Sequence, residues 1–220
     1  MFAARMIFRP TLLVCTALAG WLAVGGAALA HPHVWVTMKS TLVYAPDGSA
    51  TGLRQAWTFD DMYSAFAVQG LDHKDKNKFT REELQPLAKV NVESLKEYDY
   101  FTFAKADGKK ALFSDPVDYW LESNDAILTL HFLLPFKKPV KAQALTLEVF
   151  DPEYFVDFAL DEKDPVKLSG APAGCQLTLG KPQEMTKEMA LRLSQIPVDG
   201  KIPTDSYGEA FANKINVKCP

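Results

Sequence analysis

His33-Val34-Trp35-Val36-Thr37-Met38-Lys39-Ser40-Thr41-Leu42-Val43-Tyr44-Ala45 alternates, is rich in β-branched residues, and stops at the turn signal Pro46-Asp47-Gly48. Period-two alternation of this kind marks a strand with one buried face. Pro, Asp and Gly each favour the backbone angles that a turn needs. Gly52 to Phe59 reads as the returning strand of a hairpin. The pattern repeats downstream: Tyr100 to Ala104 and Lys110 to Phe113 flank Ala106-Asp107-Gly108, and Tyr119 to Leu121 and Ala126 to Leu134 flank Ser123-Asn124-Asp125. Ala144 to Phe150, Tyr154 to Ala159 and Gln176 to Leu179 are further short strands. Short strands spaced by turns predict a mainly antiparallel β-sheet or sandwich.

Two helical regions interrupt the strands, which makes the fold class α+β. The first runs from about Met62 to Lys96, within an insertion over 62–98, and is broken near Gly70 to Lys78. Thr80 followed by Glu83 predicts a capping box for its second half, and Pro86 suggests a break or a fresh start. The second is a C-terminal helix from Gln183 to Gln195, stopping before Pro197; a short helix over Tyr207 to Lys214 fits as well. Residues 196–220, with Pro197, Gly200, Pro203 and Gly208, read as a tail laid over the domain.

Met1 to Ala30 has the three parts of a secretory signal: Arg5 and Arg9, an apolar stretch from Thr11 to Val24, and the cleavage site Ala28-Leu29-Ala30. A retained anchor is the other reading, but the apolar run is short for a bilayer span. Cleavage leaves a single periplasmic domain, residues 31–220. Residues 1–30 carry two basic groups and no acid, so their removal takes the net charge from −3 to −5. A mildly acidic chain without a long basic run is a poor partner for nucleic acid, where phosphate binding needs clustered Lys and Arg. With 48% hydrophobic and 23% charged residues the chain is not disordered either.

Cys15 leaves with the signal. Cys175 and Cys219 remain, an even pair in an oxidising compartment, and a disulfide tying the tail to the domain is the default reading. A soft-metal site using both thiols is the alternative.

The new N-terminus, His31-Pro32-His33-Val34-Trp35, is the strongest chemical feature. A terminal His offers its α-amine and its imidazole to one metal ion, and in an extended strand His33 points to the same side as His31. Two imidazoles and an amine suit zinc, copper or nickel. Pro32 excludes the copper and nickel clamp that requires a deprotonated amide at the second residue. Equally, both histidines can be solvated residues opening a strand. Asp60 and Asp61 lie at a strand-to-helix junction, either capping the helix or supplying an oxygen ligand or orienting a liganding His. Asp151, before Pro152, is a turn former or a further ligand. His131, alone in an apolar strand, reads as a hydrogen-bonded core or edge residue. Nothing matches a nucleophile elbow, a phosphate loop or a His-Glu-x-x-His motif, so a non-enzymatic protein is expected.

Asp72 to Glu83 has the outline of an EF-hand loop, with Asp72 first, Asn77 at the turn and Glu83 twelfth. Lys74 and Lys76 occupy two positions that need oxygen ligands.

Several runs together carry a family resemblance. They are His31-Pro32-His33-Val34-Trp35, Trp57-Thr58-Phe59-Asp60, Thr80-Arg81-Glu82-Glu83-Leu84 behind the loop, Asn91-Val92-Glu93-Ser94-Leu95-Lys96-Glu97-Tyr98-Asp99-Tyr100-Phe101, and Phe150-Asp151-Pro152-Glu153-Tyr154-Phe155. The chain resembles a periplasmic family of unknown function labelled as the periplasmic component of an uncharacterised ABC-type transport system. Members tend to be encoded beside nickel/cobalt-exporter-type permeases, and some are tied to zinc uptake. The resemblance implies capture or delivery of a divalent transition metal, zinc or nickel, for an inner-membrane permease. Its metal motif falls on His31 and His33, with Asp60 contributing. Relatives often carry Asp or Asn where this chain has Lys74 and Lys76.

Calcium should therefore bind the Asp72–Glu83 loop weakly or not at all, because two ammonium groups supply no lone pair and repel the ion. Calorimetric titration checks this, and micromolar affinity would contradict it. Lys74→Asp with Lys76→Asp should create affinity if the loop shape survives.

Overall fold

The computed structural model describes residues 32–72, 78–195 and 208–220. Its first half contains β1 (Val34–Tyr44), β2 (Ala50–Phe59), α1 (Asp61–Ala67), α2 (Arg81–Ser94), a 3₁₀ segment (Leu95–Phe101), β3 (Thr102–Ala106) and β4 (Lys109–Ala111). Then follow β5 (Val117–Asn124), β6 (Ile127–Val140), β7 (Ala144–Val149), β8 (Val156–Leu160), β9 (Val166–Ser169), β10 (Gln176–Gly180), α3 (Lys187–Ser194) and β11 (Asn213–Lys218). The α+β class expected from the sequence is the class observed.

The first sheet has the order β5-β6-β2-β1-β8, with β9 also on β1. Alternation along β1 puts Val34, Val36, Met38, Ser40 and Leu42 on one buried face. The antiparallel register with β2 sets Met38 opposite Trp57, Ser40 opposite Gln55 and Leu42 opposite Leu53. The outer edge of β1 is divided: β8 runs parallel to its first half and β9 to its second. The sheet is therefore mixed. The second sheet, β10-β11-β7-β3-β4, is antiparallel throughout.

Both sheets and α2 contribute to the core, which forms two main clusters along the buried face of the first sheet. Near one end, Leu42, Leu53 and Phe136 pack on Leu145, Leu147, Ile215 and Val217 of the second sheet. Near the other, Val36, Met38, Trp57 and Leu130 pack on Leu84, Ala88 and Val92 of α2 and on Phe101. Leu84, Ala88 and Val92 recur at four-residue spacing, so they form one stripe along the helix.

The capping box of α2 is present: the Thr80 side chain accepts from the Glu83 N–H at 3.2 Å, and Glu83 accepts from the Thr80 N–H at 2.8 Å. Pro86 neither breaks nor restarts the helix, which is continuous through it. Pro86 is exposed, so the carbonyl left without its usual donor faces water rather than the core.

The C-terminal segment departs most from expectation. Gly208–Phe211 is a single 3₁₀ turn, and Asn213–Lys218 is a strand between β7 and β10 rather than helix or overlying tail. Ile215 and Val217 alternate into the core, a period too short to be recognised without its partners. The Cys175–Cys219 disulfide closes this end, with a separation of 44 residues. The signal segment 1–30, His31, residues 73–77 with Lys74, Lys76 and Asn77 of the EF-hand outline, and the whole 196–207 stretch lie outside the described residues. Among the described residues no helix is long and apolar enough to cross a membrane, and the disulfide is consistent with an extracytoplasmic protein.

Removing the bridge with Cys175→Ala and Cys219→Ala should lower the unfolding free energy by about 4 kcal/mol on the chain-entropy relation for a loop of this length. Urea titration against the oxidised protein measures it.

Candidate functional site

The start of β1 meets two loops, and the candidate residues gather there. The backbone N–H of His33 donates to the Phe155 carbonyl at 2.8 Å, and the two rings lie 4.6 Å apart. Asp60 caps α1: one oxygen accepts from the Tyr63 N–H at 2.8 Å, the other from the Trp35 N–H at 2.9 Å. The Asp60 N–H returns a bond to the Trp35 carbonyl. One carboxylate thus fixes the helix start to the first strand. Asp61 is exposed and accepts from the Met62 N–H beside it.

Asp151 is buried and accepts three backbone N–H groups, those of Glu153, Phe155 and Val156. It shapes the turn that presents Phe155 to His33 and delays the start of β8 to Val156. Gly208 packs against it so closely that a Cβ there would stand 1.7 Å from the Asp151 carbonyl oxygen, space that only glycine leaves. Burial pushes the Asp151 carboxyl above the usual range, although the three N–H groups pull the other way.

The structure therefore brings His33, Asp60 and Asp151 to one corner, each held by backbone contacts. Among the described residues no three His, Cys, Asp or Glu side chains are arranged to hold a metal ion. Cys175 and Cys219 are joined in a disulfide, so neither has a thiolate to offer a soft metal. Glu83, twelfth in the EF-hand outline, serves the helix cap. His131 is stacked on Trp120 at 4.6 Å and lies 3.4 Å from Glu122; burial nonetheless holds its pKa down.

Beside this corner is a cavity of about 370 Å³. Val34, Val36, Trp57, Phe59 and Leu130 of the first sheet form one wall, Tyr63, Asn91, Ser94, Leu95, Tyr98 and Phe101 the helical side, and the Asp151–Phe158 stretch the third. Four of the sequence runs singled out above contribute lining residues. Asp99, Tyr100 and Phe101 hold positive φ of 51°, 56° and 48°, a left-handed run that side-chain-bearing residues rarely adopt. Tyr100 anchors it, donating to Asp115 at 2.8 Å. Burial, then the Asp60 charge, push the Tyr63 hydroxyl up. The Trp57 indole N–H and one Asn91 amide group are buried without a partner among the described residues, each a cost of about 1–3 kcal/mol. Sequence reading missed this cavity. Trp57 and Phe59 were legible as one strand face, but Asn91 gives no local signal.

Residues 16–219 match DUF1007, a family described as a protein of unknown function. The chain belongs to that family. It is similar to an uncharacterised protein of Haemophilus influenzae, 27% identical over 202 residues that cover 90% of this chain and 95% of that one. An uncharacterised 15.5 kDa protein in the trpE 3' region of Spirochaeta aurantia is 28% identical over 108 residues, 49% of this chain and 77% of its own.

Asp151 binds its proton more tightly in the folded chain than in the unfolded one. Its contribution is fully present below the ordinary value of 3.8 and is lost as pH rises through the raised folded value. Between pH 4 and 7 Asp151→Asn should therefore show a flatter stability profile than the native protein. Asp151→Ala, which leaves three N–H groups without their acceptor, should cost about 3 kcal/mol in urea unfolding.

Proposed function

We propose that this DUF1007 protein is a non-enzymatic, periplasmic metal-binding accessory of an inner-membrane permease. It would capture zinc, or another divalent transition metal such as nickel or copper, through His31 and His33. The observation that carries the reading is the sequence His31-Pro32-His33 directly behind an Ala-x-Ala cleavage site. The anchorage of His33 on the Phe155 loop supports it, because a ligand already held in place loses little freedom on binding. Asp60 and Asp151 contribute by holding the loops around His33, with both carboxylates already engaged by backbone N–H groups. The remaining ligands are the imidazole and the α-amine of His31, which cleavage converts from an amide nitrogen. The metal permease association rests on the family resemblance. A second reading, a non-metal structural or interaction module of the cell envelope whose histidines are incidental, draws support from Met62 and Phe66, exposed one turn apart on α1.

Equilibrium dialysis of protein beginning at His31 should show zinc binding tighter than about 10 µM. One extra residue before His31 should weaken it about tenfold, or roughly 1.4 kcal/mol, and His31→Ala should weaken it further. Equal affinity in the extended protein would remove the amine from the ligand set. No binding of zinc, nickel or copper would favour the interaction module.

A further inference from the structure

The cavity beside β1 has the size and lining of a small-molecule site, independently of any metal at the N-terminus. At about 370 Å³ it falls within the range of small-molecule pockets. Its floor is apolar and deep, with Trp57 and Leu130 each 1% exposed and Val36 2%. Its rim is accessible, since Ser94, Tyr98 and Glu153 are exposed. Well-packed interiors leave few voids, and this one persists beside a strained left-handed turn that holds Phe101 in its wall.

The polar groups define the ligand's chemistry. An indole N–H can only donate, so the Trp57 group, buried and without a partner among the described residues, calls for an acceptor. Asn91 adds an amide N–H group that has no partner among the described residues, while its oxygen accepts from the Tyr63 hydroxyl at 3.4 Å. Asp151 and Glu153 also line the space and disfavour an anion. We propose that this cavity binds a small uncharged organic molecule with an aromatic or bulky apolar body and a carbonyl-type hydrogen-bond acceptor. The acceptor meets the Trp57 N–H while the body lies among the aromatic walls.

The test uses 6-propionyl-2-dimethylaminonaphthalene, an uncharged fused-ring ketone whose emission moves to the blue in apolar surroundings, added to disulfide-intact protein starting at His31. Saturable, one-to-one binding with a blue shift is expected at micromolar concentrations. 2-Ethylnaphthalene, which lacks the acceptor, and 2-naphthoate, which is anionic, should each compete about tenfold less well than the parent ketone 2-acetylnaphthalene, about the worth of one hydrogen bond. Ser94→Trp places a ring in the exposed rim and should weaken the probe at least about tenfold while lowering the melting temperature only slightly, since the one bond lost is an exposed one to the Asn91 carbonyl. Trp57→Phe should narrow the advantage of the ketone over 2-ethylnaphthalene. Should Trp57→Phe not fold, the rim variant and the competitor order decide. Absence of saturable binding, unchanged binding in Ser94→Trp, or competition by 2-naphthoate equal to the ketone's would each overturn the proposal. None of these outcomes depends on whether the protein binds zinc.

Discussion

One sheet face is longer than its partner sheet can cover. β1 and β6 run for 11 and 14 residues, whereas β7 and β11 of the second sheet have six each. At about 3.3 Å per residue the inner face extends for roughly 36–46 Å against roughly 20 Å. Apolar residues continue along it regardless, so the uncovered half must be buried by something else. The α1–α2 insertion does this, with the Leu84, Ala88 and Val92 stripe laid over Trp57 and Leu130. The Ser40 hydroxyl and the Gln55 side chain, hydrogen-bonded to each other, lie on that face between its two apolar ends.

A sheet covered by helices at one end and by strands at the other has a seam. The loop from Asp151 to Val156 and the 3₁₀ segment before β3 both end there, and the cavity lies between them. The left-handed run Asp99-Tyr100-Phe101 turns the chain out of α2 and into β3, from one covering layer to the other. Its conformational cost is offset by burial of Tyr100 and Phe101 and by the Tyr100–Asp115 bond.

The acidic residues at this end do mechanical work. Asp60 couples the entry of α1 to β1, and Asp151 folds a turn around three N–H groups. The capping reading of Asp60 and the turn-forming reading of Asp151 are therefore both realised, and both acids stand near His33. Rigid surroundings of this kind suit a binding surface, because groups already held in position lose little freedom when a ligand arrives.

The strand–turn pattern, the α+β class, the capping box at Thr80 and Glu83 and the Cys175–Cys219 pairing were all legible in the sequence. Each depends on near neighbours along the chain or, for the cysteines, on there being one pair to make. The paired sheets, the parallel edge formed by β8 and β9, the strand made by Asn213–Lys218 and the continuity of α2 through Pro86 were decided by tertiary structure. These depend on contacts between distant segments: a six-residue strand has too few periods to declare itself, and a proline is tolerated where its orphaned carbonyl meets water. The candidate site divides in the same way. His33, Asp60 and Asp151 could be picked out by residue type, but the cavity walled by Trp57, Asn91, Tyr98 and Phe101 exists only because the insertion folds across a sheet that outruns its partner.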